Sequence, residues 1–352
     1  MFEVDVSNNT DVTLSLNLSP AKYWIILLYH VLITLLSLIG NFLVLYGTHR
    51  YNAINIDAVS LIFIKYLAVT DVSIALTSCV PTLITLITKQ WVLGEGMCLV
   101  LAYLIYIPGI AQAFIIVEFT LYKLILLLSP MASLASEWSA GKMSATFGIT
   151  YLLTTAHTVC SLLIARGATY HPAELTCSIN KERPEFTIYG GISVIMISFV
   201  PSILIIIINI ALLMIAGRSQ KNCLPNLPSL RAIVITLSIS TIYVISTVPK
   251  GVMNVIVAQH KVPPNWLMLF QKEVYFLNTV CNPIVYTAVN TRFRGFVMRR
   301  MKRKINHVTI NIADQIDSAR MIRKSRTKTA ESLMQMKKDW ADGNDSEFET
   351  PC

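Results

Sequence analysis

Seven stretches of this sequence stay apolar for longer than a buried helix of a soluble domain requires. They lie near residues 23–48, 58–87, 95–128, 143–166, 187–216, 228–259 and 265–289. Roughly 20 helical residues cross the hydrocarbon core of a bilayer, so each stretch is long enough to span it. The pattern predicts an all-α membrane protein, a seven-transmembrane helix bundle. A shorter pattern follows at about 291–304, where Phe293, Phe296 and Val297 are set among Arg and Lys. It predicts a short amphipathic eighth helix, with its apolar side on lipid and its cations at the headgroups. Residues 1–22 are a polar, acidic N-terminal segment, and 23–304 form the membrane domain with its amphipathic helix. The tail, 305–352, is rich in Ser, Thr, Lys and acids and reads as largely disordered.

The composition agrees with that pattern. The 352 residues are 54% hydrophobic and only 14% charged, with a mean hydropathy of +0.58, where a soluble domain carries about 25% charged residues. The net charge is +9, and fourteen of the 29 Lys and Arg follow Asn290. Cations gathered in one tail suit membrane lipid, and no nucleic-acid partner is expected. Basic residues in the loops on the two sides nearly balance, so the tail sets the orientation: C-terminus inside and, with an odd number of spans, N-terminus outside. Asn8-Asn-Thr and Asn17-Leu-Ser then lie where glycosylation occurs. Met1–Ala21 has no basic start and no apolar core, so no cleavable signal is expected. Seven cysteines occur without metal-ligand spacing, and no metal site is expected. Cys98 opens the third span on the outer side, and Cys177 lies in the outer loop before the fifth. A disulfide tying that loop to the third span is expected on the oxidising side.

The polar residues inside the spans carry the chemistry. In Asn282-Pro283-Ile284-Val285-Tyr286 the proline removes a backbone donor and kinks its helix. The freed carbonyl and the amide side chain then need internal partners. Asp71 is an acid in mid-span, a costly and usually functional placement. Asn41, Asn278 and Asn282 are expected to converge on it. Lys65 and Glu118 both fall in the inner halves of their spans, and we expect them to approach each other between helices two and three. Pro108-Gly109 should kink helix three near the floor of any outer cavity. Arg323-Lys-Ser325-Arg-Thr327-Lys-Thr329 sets hydroxyls among cations, which suits either basic-directed kinases or a solvated stretch along the membrane.

Taken together, the seven spans, Trp91, the Cys98 and Cys177 pair, Gly40-Asn41 with Val44, Leu67-Ala68-Val69-Thr70-Asp71 and Asn282-Pro283-Ile284-Val285-Tyr286 resemble the rhodopsin-like (class A) G-protein-coupled receptors. Pro201 and Pro249 match that family's kink prolines in helices five and six. The resemblance covers roughly residues 23–300. It implies a plasma-membrane receptor with an extracellular ligand, a heterotrimeric G protein inside, and arrestin and receptor kinases on the tail. It also implies a polar activation network of Asn41, Asp71, Gln112, Asn278, Asn282 and Tyr286. In the family this cluster holds a sodium ion; here Gln112 stands where a small hydroxyl usually completes the ion site. A sodium site and a purely polar knot of helices one, two and seven are both open readings.

Several switch positions depart from the family. Tyr122-Lys123-Leu124 stands where Asp-Arg-Tyr is usual at the G-protein-facing end of helix three. The cation survives as lysine, a point charge without the arginine fork, and its acidic neighbour is gone. Thr247 replaces the large aromatic before Pro249, Asn209 replaces a helix-five tyrosine, and helix four lacks its usual tryptophan. In the ligand cavity, Ile105 takes the place of the amine-binding aspartate, and Phe276 that of the retinal lysine. Lys250 and Lys272 match cavity positions, and buried lysines want anionic partners. We therefore expect a peptide or small molecule with an anionic group. The alternative reading is a receptor-like protein that couples weakly, acting through arrestin, as a scavenger or as a heteromer partner. An enzyme is not expected, since no nucleophile and base or metal set is in view.

Overall fold

The computed structural model describes residues 3–5, 19–50, 57–128, 140–180, 184–221, 230–259 and 263–344. Asn8 and Asn17 lie outside the described residues. The chain divides into two compact units, Met1–Arg294 and Gly295–Cys352.

The first unit is a bundle of seven helices. Helix α1 is Pro20–Arg50. Helix α2 is built from Ala58–Ile74, a π turn at Ala75–Cys79, and Val80–Thr88. Helix α3 is Gly94–Leu104 continued by Tyr106–Leu128, and α4 is Ala140–Ala165. Helix α5 is Pro184–Val194, a second π turn at Ile195–Phe199, and Val200–Lys221. Helices α6 and α7 are Leu230–Ala258 and Asn265–Val289. The first six contain strongly apolar windows of membrane-spanning length. Helix α7 is more polar because it turns Gln271, Lys272, Glu273, Asn278 and Asn282 inward, where all are buried.

The prolines shape these helices. A proline cannot donate to the carbonyl four residues back, and its ring crowds that carbonyl. Helix α3 breaks at Ile105, directly after Leu104, the residue four before Pro108. Pro81 and Pro201 each stand two residues past the end of the π turn of their helix. The carbonyl freed by Pro283 is that of Thr279. Asn41 Nδ2 of α1 donates to it at 2.8 Å and to the Ser37 carbonyl at 2.9 Å. Gly40, one residue earlier, lets α1 seat on the kink: a Cβ there would lie 2.9 Å from Pro283 Cγ.

A three-stranded sheet caps one end. Strands β2 (Gly167–His171) and β3 (Thr176–Ile179) form an antiparallel hairpin with Tyr170 opposite Cys177. Strand β1 (Glu3–Asp5) runs parallel to β2. The expected disulfide joins Cys98 to Cys177 and fixes the hairpin over α3. Trp91 packs on Tyr170 beside it, with ring centroids 5.4 Å apart, and donates its indole N–H to the Gly94 carbonyl. Burial pushes the Tyr170 phenol up to about 12.

Helix α8 runs Thr291–Asn344, well past the short amphipathic segment expected to end near 304. The expectation of disorder weighed polarity. This stretch has no proline between Thr291 and Asn344, and its Ala, Arg, Lys, Met, Gln and Glu are strong helix formers. Phe293 and Phe296 are buried rather than turned to lipid, and Val297 is half-buried.

Candidate functional site

The bundle holds a cavity at its capped end and buried polar groups beside that cavity, in mid-bundle and at the inner end. At the capped end, a cavity of about 990 Å³, counting its open mouth, opens between α3, α4, α5, α6 and Tyr275 of α7, beneath Ile179 of β3. Ile105 and Lys250, which the sequence placed in a ligand cavity, line it, and so does Thr247, read from the sequence only as a substituted switch position. Lys250 Nζ sits 3.7 Å from the Tyr275 ring centroid, a cation–π contact. Gly109 leaves room for the Tyr275 hydroxyl, which a Cβ would meet at 2.9 Å. On the opposite wall His157 accepts or donates to the Tyr189 hydroxyl at 3.1 Å, and its ring stacks on the tyrosine.

Lys272 stands apart from this cavity. It donates to Thr82 Oγ1 at 2.7 Å and to the Glu174 carbonyl, tying α7 to α2 and to the hairpin turn. This corrects its placement in the ligand site. The neighbouring Glu273 takes His30 instead: Nδ1 lies 3.0 and 3.1 Å from the two carboxylate oxygens, while Nε2 faces the Cys79 carbonyl at 2.9 Å. A carbonyl only accepts, so Nε2 carries a proton, and one further proton lies between Nδ1 and Glu273. The sequence reading missed His30 altogether, because a lone histidine in an apolar run carries no partner signal.

In mid-bundle, Asp71 is fully buried. Gln112 Nε2 donates to its Oδ1 at 2.6 Å and Asn282 Nδ2 to its Oδ2 at 2.7 Å. Asn278 reaches the acid only through Gln112, donating to Oε1 at 3.0 Å. Asn41 serves the Thr279 carbonyl and not Asp71, a correction to the expected convergence. The Tyr286 hydroxyl is buried without a hydrogen-bond partner among the described residues. Both oxygens of Asp71 thus already receive an amide N–H, and the positive end of the Gln112 dipole points where a cation would bind. This donor set does not fit sodium.

At the inner end, Lys123 is fully buried and its missing acidic neighbour is supplied by another helix. Asp57, the residue capping α2, lies 2.9 Å from Lys123 Nζ through Oδ1. Its Oδ2 accepts from the Tyr122 hydroxyl at 3.0 Å and from the Ser60 amide at 2.9 Å. Lys123 also donates to Ser60 Oγ. Leu124 is only partly buried. Asp57 followed three residues later by Ser60 is a legible N-cap; its ion pair, 66 residues away in sequence, is not. Elsewhere, Asn209 joins Ser240 across α5 and α6 at 2.8 Å. Glu118 accepts from Thr150 of α4 at 3.1 Å, and no ion pair links it to Lys65.

Residues 40–286, well over half of the chain, match the sequence profile of the family described as 7 transmembrane receptor (rhodopsin family). Nematocin receptor 1 of Caenorhabditis elegans is 27% identical over 132 residues, which are 36% of this chain and 35% of that protein. The match therefore spans about a third of that receptor's length.

Proposed function

The chain belongs to the rhodopsin family of seven-transmembrane receptors, a multi-pass protein of the plasma membrane and not an enzyme, and from that premise we propose that it binds an extracellular ligand bearing an anionic group and activates a heterotrimeric G protein. The single observation that carries the ligand reading is the cavity beneath the disulfide-held hairpin, with Lys250 on its wall. A carboxylate, at the end of a peptide or on a small acid, is the group that Lys250 would pair with. In this reading the capped end faces outside, with Asn8 and Asn17 on the glycosylated side. The basic residues of about 291–304 then suit the headgroups of the inner leaflet, and the tail after them is the part offered to arrestin and receptor kinases.

Activation would be a population shift: outward motion of α6 opens the inner end and frees Lys123 for the G protein. A second reading, arrestin-biased or weak coupling, draws on one observation, the complete burial of Lys123 against Asp57. One screen separates them. Cells bearing the receptor are given peptides with free or amidated C-termini, and recruitment of G protein and of arrestin is followed. We expect a free-acid peptide to recruit both. Lys250→Ala should lower its potency about 10- to 100-fold, the worth of one hydrogen bond to a charged group. Unchanged potency in Lys250→Ala and with the amidated peptide would sink the anionic ligand, and recruitment of arrestin alone would favour the second reading.

A further inference from the structure

Gln112 lies on α3, one turn inward from the cavity lining at Gly109 and Ile110, and is fully buried. Its carboxamide is used at both ends. The N–H₂ group donates to Asp71 of α2, and the oxygen accepts from Asn278 of α7. Asn282 of α7 closes the ring on the other carboxylate oxygen. Three helices are therefore joined around Asp71 by side chains alone. A monovalent cation at a carboxylate needs oxygen ligands turned toward it. Here Asp71 Oδ1 accepts from a nitrogen that carries its protons toward the carboxylate, and a cation approaching that oxygen would meet like partial charge.

We infer that the Gln112 carboxamide is a built-in substitute for an exchangeable sodium ion at Asp71, so that this receptor's stability does not respond to sodium. The partial positive charge of the amide offsets the buried carboxylate in part, and because it is covalently part of α3 it cannot be displaced by changes in ion concentration. The site around it retains the makings of a cation pocket. The carboxamide oxygens of Asn278 and Asn282 are buried and have no hydrogen-bond partner among the described residues. Shortening Gln112 to serine would release Asp71 Oδ1 and replace the inward N–H₂ with a hydroxyl oxygen. Oxygen ligands would then surround the space that the amide now fills.

The test uses the full chain, purified in lipid nanodiscs, with no ligand added. Thermal unfolding is followed as sodium chloride replaces choline chloride at constant ionic strength. The readout does not involve signalling, so its outcome is separate from the receptor reading. The wild-type Tm should be the same in both salts, and Gln112→Ser should gain a saturable rise of Tm with sodium. If Gln112→Ser does not yield folded protein, Gln112→Asn, shorter by one methylene, makes the same withdrawal from Asp71. A saturable, sodium-specific rise in the wild type that disappears in Asp71→Asn overturns the inference. So does a folded Gln112→Ser or Gln112→Asn that remains indifferent to sodium.

Discussion

Lys123 shows how one residue's environment decides its meaning. An unpaired ammonium at the inner end of a packed helix is costly, and the family's usual solution, an acid next to it on α3, is missing. Asp57 restores the balance from α2. Burial pushes the Asp57 carboxyl up, but the Lys123 charge and the hydrogen bonds from Lys123 and Ser60 outweigh it and hold it below the usual carboxylate range. A depressed folded value means that the stabilisation is present above the unfolded value, and is lost only as pH falls through the folded one. The contact is therefore intact across neutral and mildly acidic pH. Asp57→Asn keeps one oxygen to cap the Ser60 amide, removes the charge and turns the oxygen that faces Lys123 into an N–H₂ donor. Asp57 is 38% exposed, so the pair contributes about 1 kcal/mol or less. If it holds the resting state, ligand-independent recruitment of G protein should rise about two- to fivefold in Asp57→Asn, and in permeabilised cells the wild-type basal signal should be flat as the buffer on the inner side is made mildly acidic. A basal signal that does not change in Asp57→Asn would leave the contact purely structural.

At the scale of elements, the kink of α7 is held from α1. Asn41 takes the carbonyl that Pro283 frees, and Gly40 gives the proline ring its seat. These two adjacent residues explain why Gly-Asn and Asn-Pro occur in the same sequence. They also allow a controlled comparison. Gly40→Ala would put a methyl 2.9 Å from Pro283 Cγ and 3.0 Å from its Cβ. The ring is rigid and backbone-fixed, so the neighbour cannot turn aside. Overpacking of this kind costs about 1–3 kcal/mol, more than the roughly 1 kcal/mol that alanine gains over glycine in a helix. Gly148→Ala in α4 is the control, because nothing lies within 4 Å of its added methyl. We expect a lower Tm for Gly40→Ala and an equal or higher one for Gly148→Ala. Equal shifts in the same direction would mean that the α1–α7 contact is not tight.

For the molecule as a whole, what the sequence made legible is what depends on chain-local pattern. Span length and apolar runs gave the helices, Cys98 and Cys177 gave the disulfide, and Pro283 announced a carbonyl in need of a donor. What depends on azimuth was not legible. Counting rise along α2 and α3 put Lys65 and Glu118 at similar depth but could not say that Glu118 faces Thr150 of α4. The same blindness placed Lys272 in the cavity when it faces Thr82. The cavity, the Asp71 ring and the Asp57 contact are stacked along α3, which contributes Gly109, Gln112 and Lys123 to them in turn. Two sites that bias one two-state bundle must be linked reciprocally. If the Asp57 contact favours the resting state, Asp57→Asn enlarges the binding-competent fraction, and apparent agonist affinity rises by that same factor. Lys250→Ala acts on the ligand alone, lowering affinity with no change in basal recruitment. The double variant should then combine both effects additively in free energy, since the two sites lie at opposite ends of the bundle. Equilibrium binding of an agonist from the peptide screen to the four proteins checks this. A rise in basal signal in Asp57→Asn with unchanged agonist affinity would mean that the inner contact gates the G protein without being coupled to the cavity.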